Sequence, residues 1–276
     1  MVRIGDYNTL KVVKEVDFGV YLDGGESGEI LMPLKYVPEG TKPDDEIEVF
    51  VYSDSEDRLI ATAETPFAKV NEFACLKVKA VNKFGAFLDW GILKDLLVPF
   101  REQKTDMEEG KFYVVFIYLD EKTNRLAASA KISKFLSSEI PPYNINDEVK
   151  ILIESKTDIG YKAIADNKYR GLLYENEVFK DIKKGDILTA YIKKIRLDGK
   201  IDLALQKPGY EQIDAVSANI LQILKDNNGF IAANDKSSPE MIKSLFKISK
   251  KSFKKAVGYL YKQRLITFYE DGIKLN

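Results

Sequence analysis

Aromatic and basic side chains recur in this chain at a spacing suited to binding single-stranded nucleic acid. Phe84 and Phe87 lie on either side of Gly85, and Arg125 opens a later strand. Flat rings stack on bases at about 1–3 kcal/mol per base, while basic side chains contact phosphates. Alternation along a strand would place the two rings on opposite faces, so we expect a bulge at Gly85 that turns both outward beside Arg125. The alternative is that one or both rings fill a barrel interior.

A second set of such side chains lies in residues 159–200. The predicted binding residues of this set are Tyr161, Lys162, Tyr174, Lys194, Arg196 and Lys200. The turn at Asp198-Gly199 separates the basic residues, and alternation along the strands gives them no single assured face. A solvated basic hairpin is therefore the alternative to a phosphate-contacting one.

The third of three predicted C-terminal helices carries the clearest electrostatic signal. Helical spacing gathers its apolar residues on one face, which consists of Phe253, Ala256, Val257 and Leu260. The opposite face carries a lysine strip, which consists of Lys250, Lys251, Lys254, Lys255 and Lys262. Lysine contacts phosphate without the bidentate base reading that Arg, Asn or Gln provides. We expect a phosphate-contacting surface rather than a sequence reader; a merely solvated face is the alternative.

The composition leaves little equipment for catalysis. The 276 residues include no His and one Cys, which excludes a Ser-His-Asp triad, a His-based metal site, an intrachain disulfide and a multi-Cys zinc site. The chain also shows no tight acidic cluster suited to two metals and no Gly-rich phosphate loop. We therefore expect no enzyme, no metal and no cofactor. No apolar run approaches the roughly 18 residues of a membrane span, so we expect a cytoplasmic protein without a membrane partner.

The net charge of −1 conceals an uneven distribution along the chain. Residues 1–66 hold 6 basic and 15 acidic groups, whereas the later segments are each net positive. An acidic surface repels a polyanion, so we expect nucleic acid to bind beyond residue 66. The acidic segment does carry a similar set of side chains in Phe18, Tyr21 and Arg58. We expect this segment to be structural or to contact a protein partner.

An internal repeat organises the elements that must position these residues. Phe18-Gly19 and Phe84-Gly85 lie 66 residues apart, and the strands that follow keep nearly the same step. A divergent third copy has Ile159-Gly160 in the corresponding place, turns at Asp198-Gly199 and ends at Lys207-Pro208-Gly209. Each copy predicts about five short strands with Gly at an early bend. Five such strands can close into a small barrel, which removes exposed edges.

Beyond Gly209 the hydrophobic period becomes helical. It predicts helices over residues 213–227, 239–246 and 249–263, with Ser237 or Ser238 and then Ser249 as N-caps. A hairpin that turns at Asp271-Gly272 closes the segment. Three helices followed by a two-stranded wing predict a winged helix.

The repeated pattern Phe-Gly-x-aromatic-Leu-Asp, followed by an apolar strand near Pro or Tyr and by an Arg-led strand, resembles the S-one family of RNA-binding OB barrels. Three such barrels followed by a winged helix resemble the bacterial conserved virulence factor B (CvfB) family, and the resemblance covers essentially all 276 residues. It implies RNA binding in a bacterial cytosol and a role in post-transcriptional regulation.

The predicted fold is mainly β with a C-terminal α+β domain: three tandem five-stranded OB-fold barrels followed by a winged helix. The expected domains are an acidic barrel over 1–66, a second barrel over 67–136, a divergent barrel over 143–208 and a winged helix over 210–276.

The leading hypothesis is a non-catalytic protein that binds single-stranded or structured RNA by stacking and lysine–phosphate contacts. One alternative is a protein-interaction scaffold on the ribosome or the transcription machinery. The other is a DNA-binding regulator that acts through the winged helix, although we expect RNA rather than DNA.

Overall fold

The computed structural model describes residues 1–175, 178, 181–205 and 215–276. The chain forms two compact units, Met1–Leu205 and Gln206–Asn276. The first unit is built mainly of β-strands, and the described residues of the second form three helices and a small sheet. The predicted linker Lys207-Pro208-Gly209 and the predicted helix start at Ile213 lie outside the described residues.

A closed barrel, here called the first barrel, begins the chain. Its strands are β1 (Asp6–Val16), β2 (Gly19–Asp23), β3 (Glu29–Pro33), β4 (Glu46–Ser53) and β5 (Leu59–Thr62), in the order β1-β2-β3-β5-β4. Alternate residues of β1 point inward, so that Leu10 and Val12 are buried while Lys11 is exposed. The parallel pair β3–β5 closes the barrel, whereas its other pairs are antiparallel.

The middle sheet has the same strand order but leaves one seam unpaired. Its strands are β6 (Phe73–Asn82), β7 (Gly85–Leu88), β8 (Leu96–Pro99), β9 (Phe112–Asp120) and β10 (Arg125–Ser129). Strands β8 and β10 lie side by side, yet these fully described strands form no ladder with each other. The buried Gln103 side chain donates to the Val98 carbonyl oxygen at 3.0 Å, which satisfies a β8 acceptor near this seam. The predicted second barrel is therefore an open five-stranded sheet.

The last barrel is closed like the first. Its strands are β11 (Glu148–Thr157), β12 (Gly160–Ala165), β13 (Tyr169–Tyr174), β14 (Ile187–Ile195) and β15 (Ile201–Ala204), with a parallel β13–β15 pair. The prediction of five-stranded barrels is thus confirmed for the first and third copies. The division of the first unit into three domains stays a prediction.

Gly19, Gly85 and Gly160 occupy the same bend in the three sheets. Their φ angles are 155°, 144° and 144°. A Cβ atom would lie 2.1, 2.2 and 2.0 Å, respectively, from a carbonyl oxygen of the adjacent strand. Only Gly fits such a close approach of two backbones. The Gly of each Phe-Gly or Ile-Gly pair is therefore needed for the fold.

Hydrophobic cores cross both borders between neighbouring sheets of the first unit. Phe50 of β4 is fully buried and lies edge-on to Trp90, with ring centroids 5.5 Å apart. On the other side, Phe73 and Phe116 of the middle sheet belong to one buried cluster with Leu152 and Ile164 of the last barrel, and with Ile132. The three sheets therefore pack against one another as parts of a single compact unit.

The second unit, here called the winged-helix unit, has the predicted elements. Its helices are α1 (Ala215–Asp226), α2 (Pro239–Phe246) and α3 (Lys250–Lys262), and its strands are β16 (Phe230–Ile231), β17 (Ile266–Phe268) and β18 (Ile273–Leu275). Ser238 and Ser249 accept hydrogen bonds from the N–H groups of Met241 and Ser252, which confirms both as N-caps. Among its described residues, 215–276, the strand that was not predicted is β16, which extends the hairpin to three strands.

Candidate nucleic-acid interface

Phe84 and Phe87 line one groove on the middle sheet together with Tyr118, Arg101 and Arg125. This surface is called the middle groove below. Phe84 is 60% exposed, and Phe87 is half-buried. The groove thus combines aromatic rings with two guanidinium groups, the side-chain types that single-strand binding uses.

The two phenylalanines reach the same groove by a route other than the predicted bulge at Gly85. The β6–β7 ladder slips between Val78 and Ala80, not at Gly85. Phe84 precedes β7 and lies in a turn, where its N–H donates to the Asn82 side chain at 2.9 Å. Because Phe84 is outside the strand, strand alternation does not separate it from Phe87.

A turn of the first barrel forms part of the same groove. This acidic turn joins β4 to β5 and contains Asp54, Glu56 and Asp57. The Arg125 Nε donates to Asp57 Oδ1 at 2.5 Å, and Arg125 Nη2 makes a second bond to Asp57 Oδ2. The hydrogen bond and charge of Arg125 hold the pKa of the Asp57 carboxyl below its usual value.

Lys94 fixes the acidic turn to the middle sheet. Its ammonium donates to the backbone carbonyl oxygens of Ser53 and of Asp54, the latter at 2.8 Å. Partial burial lowers the pKa of Lys94, while the neighbouring Asp57 opposes that shift. The turn is therefore tied to the groove through its backbone as well as through Asp57.

Sequence reasoning missed Tyr118, Arg101, Lys94 and Asp57 as members of this site. Tyr118 had a usable signal, since it lies 66 residues after Tyr52 at the end of the equivalent strand. Asp57 had none, because its role depends on how two copies of the repeat pack together.

The structure corrects the prediction for Tyr161. In the three sheets the ladder pairs Val16 with Gly19, Asn82 with Gly85 and Thr157 with Gly160. The residue after that Gly points into the core, and Tyr161 is accordingly only 8% exposed. A base cannot stack on a ring in this position.

Lys162 takes the position of Phe87 in the last barrel. It is the second residue after Gly160, and its side chain is exposed. The position that holds an aromatic ring in the middle sheet therefore holds a cation in the last barrel.

Tyr174 and Arg196, two of the predicted binding residues, meet in the last barrel. Arg196 Nη2 donates to the Tyr174 hydroxyl at 2.7 Å, and its Nε donates to Asp202 Oδ1 at 2.8 Å. Lys200 forms an ion pair with Asp198, and Lys194 is exposed. The structure thus gathers Tyr174 with Arg196, while both Arg196 and Lys200 already hold a carboxylate.

The lysine strip lies on the solvent side of α3. Phe253, Ala256, Val257 and Leu260 are buried, as predicted. Lys251, Lys254, Lys255 and Lys262 are exposed, and Lys250 is half-buried. Within the described part of the winged-helix unit, none of the five forms an ion pair with a carboxylate. These charges are available to an external anion.

The comparisons with known proteins match both parts of the chain. The S1 domain model matches residues 4–64 and 72–131, and the CvfB-like winged helix domain model matches residues 218–275. Conserved virulence factor B of Staphylococcus aureus is 27% identical over 99% of this chain and 94% of its own. The Bacillus subtilis protein YitL is 28% identical over 98% of this chain and 92% of its own.

The chain contains S1 domains and a CvfB-like winged helix domain, and over nearly its full length it is similar to proteins named conserved virulence factor B. Both matched domain types are families of nucleic-acid-binding domains. A crystallised multidomain protein with nucleic acid binding domains from Streptococcus pneumoniae aligns with 99% of this chain and 98% of its own, at 22% identity and a TM-score of 0.44. Among the described residues of this virulence factor B relative, no helix is both long and apolar enough to cross a membrane.

Proposed function

We propose that this protein is a non-catalytic RNA-binding protein of the bacterial cytoplasm that regulates gene expression after transcription, with its three β units acting as OB folds. The observation that carries the proposal is the middle groove, where exposed Phe84 and half-buried Phe87 lie beside Arg101 and Arg125. Phe84, Phe87 and Tyr118 are gathered in this one groove, and a contiguous apolar surface favours a ligand-binding role more than a singly exposed ring does.

The middle groove suits a single strand better than a duplex. Aromatic rings stack only on bases that are unpaired and splayed from their neighbours. Arg101, which is ion-paired with Asp120 at 3.3 Å, and Arg125, which is paired with Asp57, would supply the matching phosphate contacts once a ligand replaces these carboxylates. RNA loops and ends present such bases, which supports RNA as the ligand.

The lysine strip supports the same proposal from the second unit. Lys250 and Lys251 occupy the first turn of α3, which contains no acidic residue. Cations there oppose the positive end of the helix dipole. Residues that destabilise their own helix are expected at functional sites, and lysines at this helix end are suited to binding an anion.

The proposal is tested by fluorescence anisotropy with labelled single-stranded RNA, single-stranded DNA and duplex DNA of matched length. We expect Phe84→Ala to weaken RNA binding at least about fivefold, because one stacked base contributes at least about 1 kcal/mol. Phe112→Ala is the matched control: Phe112 is 52% exposed on the same sheet and does not line the middle groove. It should change the affinity by less than about twofold.

The other outcomes identify the rival functions. Preferential binding of duplex DNA, lost when the lysine strip is neutralised, would make the protein a DNA-binding regulator. Wild-type protein that binds none of the three nucleic acids would contradict the proposal and favour a scaffold that docks proteins.

A further inference from the structure

The acidic turn presents to Arg125 the same chemistry that a nucleic-acid phosphate would present. Both Arg125 nitrogens that face the turn hydrogen-bond to the two carboxylate oxygens of Asp57. A fork of two parallel N–H···O bonds is also how arginine binds a phosphate group. Asp57 therefore occupies the binding geometry that a ligand phosphate in the middle groove would need.

The contact is not required to balance charge within the first barrel. Arg58 of the same turn is already paired with Asp54 at 2.8 Å and with Glu56 at 3.0 Å. Asp57 is the remaining carboxylate, and it is directed to Arg125 of the neighbouring sheet. The acidic turn thus contains three carboxylates, of which Arg58 pairs with two and leaves Asp57 without a partner inside the turn.

Asp57 is held in place by an unusual backbone conformation and by Lys94. Its φ angle is 65°, in the left-handed region that residues other than Gly, Asn and Asp rarely adopt. Lys94 donates to the backbone carbonyl oxygens of Ser53, at the end of β4, and of Asp54, the first residue of the turn. The carboxylate is therefore presented to the groove by a fixed turn rather than by a chance surface contact.

We propose that Asp57 acts as an intramolecular substitute for phosphate, which RNA must displace from Arg125 when it enters the middle groove. This inference rests on the proposed RNA-binding function and adds a regulatory role for the first barrel. Both partners are about half exposed, so the pair is weak enough to be exchanged for a ligand phosphate. The first barrel then lowers affinity at the groove and makes it selective for ligands that place a phosphate at Arg125.

The test compares Asp57→Asn with Glu56→Gln in the full-length protein. Asn accepts a positive φ readily, so D57N should fold normally. Glu56→Gln removes one negative charge from the same turn but leaves the Asp57–Arg125 pair intact. We expect D57N to bind single-stranded RNA about two- to fivefold more tightly than wild type, and E56Q to stay within about 1.5-fold at 0.15 M salt, where screening acts over about 8 Å.

The salt dependence gives a second, independent readout. In the wild type, Asp57 freed from Arg125 takes up a cation, which offsets the cation released by the bound phosphate. D57N lacks this offset, so its plot of log affinity against log salt should be steeper by up to about 0.7. A change of Arg125→Gln in the D57N background should abolish the gain in affinity.

Two results would overturn the inference while leaving the proposed function in place. One is RNA binding in which D57N and E56Q have equal affinity and equal salt slope. The other is a D57N gain that persists with Arg125→Gln, which would make it a general charge effect. Wild-type protein that binds no RNA would overturn the proposed function and the inference with it.

Discussion

Gly85 is the residue on which the geometry of the middle groove most directly depends. It stands between Phe84 and Phe87, with a φ angle of 144°. A Cβ atom there would lie 2.2 Å from the Val98 carbonyl oxygen of β8. The bend that brings both rings to one groove is thus possible only with no side chain at position 85.

We expect Gly85→Ala to lower the free energy of unfolding by more than about 3 kcal/mol, because backbone strain adds to a clash with a fixed carbonyl group. Gly110→Ala is the matched control. Gly110 also has a positive φ, 78°, but nothing lies within 4 Å of its added Cβ. Its loss should be about 1–2 kcal/mol. Urea denaturation of both variants measures the difference, and equal losses would show that the close approach is not limiting.

Tyr161 shows how far residue types at a repeat position can be read from sequence. The alignment of Ile159-Gly160 with the two Phe-Gly pairs is confirmed by the register of all three ladders. Tyr161, which was predicted to bind RNA, is instead buried, because the register position of Phe87 is one residue further along, at Lys162. A shift of one residue in a strand moves a side chain to the opposite face.

At the scale of elements, α3 combines a buried apolar face with lysines that form no ion pair within the described part of the winged-helix unit. We expect the triple change of Lys251, Lys254 and Lys255 to Gln to reduce the salt slope of RNA binding by up to about 2, since each phosphate contact on a single strand contributes about 0.7. The winged-helix unit should lose no stability, because Lys251 opposes the helix dipole.

A matched control removes the same charge elsewhere in that unit. Lys225, Lys236 and Lys274 are exposed and lie outside the lysine strip. Their triple replacement by Gln should leave most of the salt slope intact. If both triple variants change RNA binding equally, the strip acts only through net charge and has no specific contact.

Elements with local signals were predicted well, and those that depend on distant partners were not. The N-caps Ser238 and Ser249 and the hairpin turn at Asp271-Gly272 are encoded by neighbouring residues, and the structure contains all three. The unpaired β8–β10 seam was not predictable, because strand patterns alone do not reveal whether the last pair closes. The two-residue β16 is too short for a periodic signal.

At the scale of the whole molecule, the packing of the sheets gives the acidic first barrel a role that its charge alone did not indicate. The charge count predicted that this barrel avoids nucleic acid and is either structural or in contact with a protein partner. The structure places its acidic turn on the middle sheet, where Asp57 pairs with Arg125. Whether a separate protein binds the first barrel stays a prediction, since these contacts lie within one chain.

The two compact units are expected to unfold separately, and the chain contains a probe for each. Trp90 is the only tryptophan, is buried against Phe50 and reports on residues 1–205, while ellipticity at 222 nm reports mainly on the helices of the second unit. Phe50→Ala should cost about 3–5 kcal/mol and lower the urea midpoint of Trp90 fluorescence without moving the helical transition. If this variant does not fold, Phe50→Leu provides a milder change.

Phe253 lies in the hydrophobic core of the second unit. Phe253→Ala should lower the urea midpoint of the helical transition without moving that of Trp90 fluorescence. If both transitions move together in both variants, the chain unfolds as one cooperative unit.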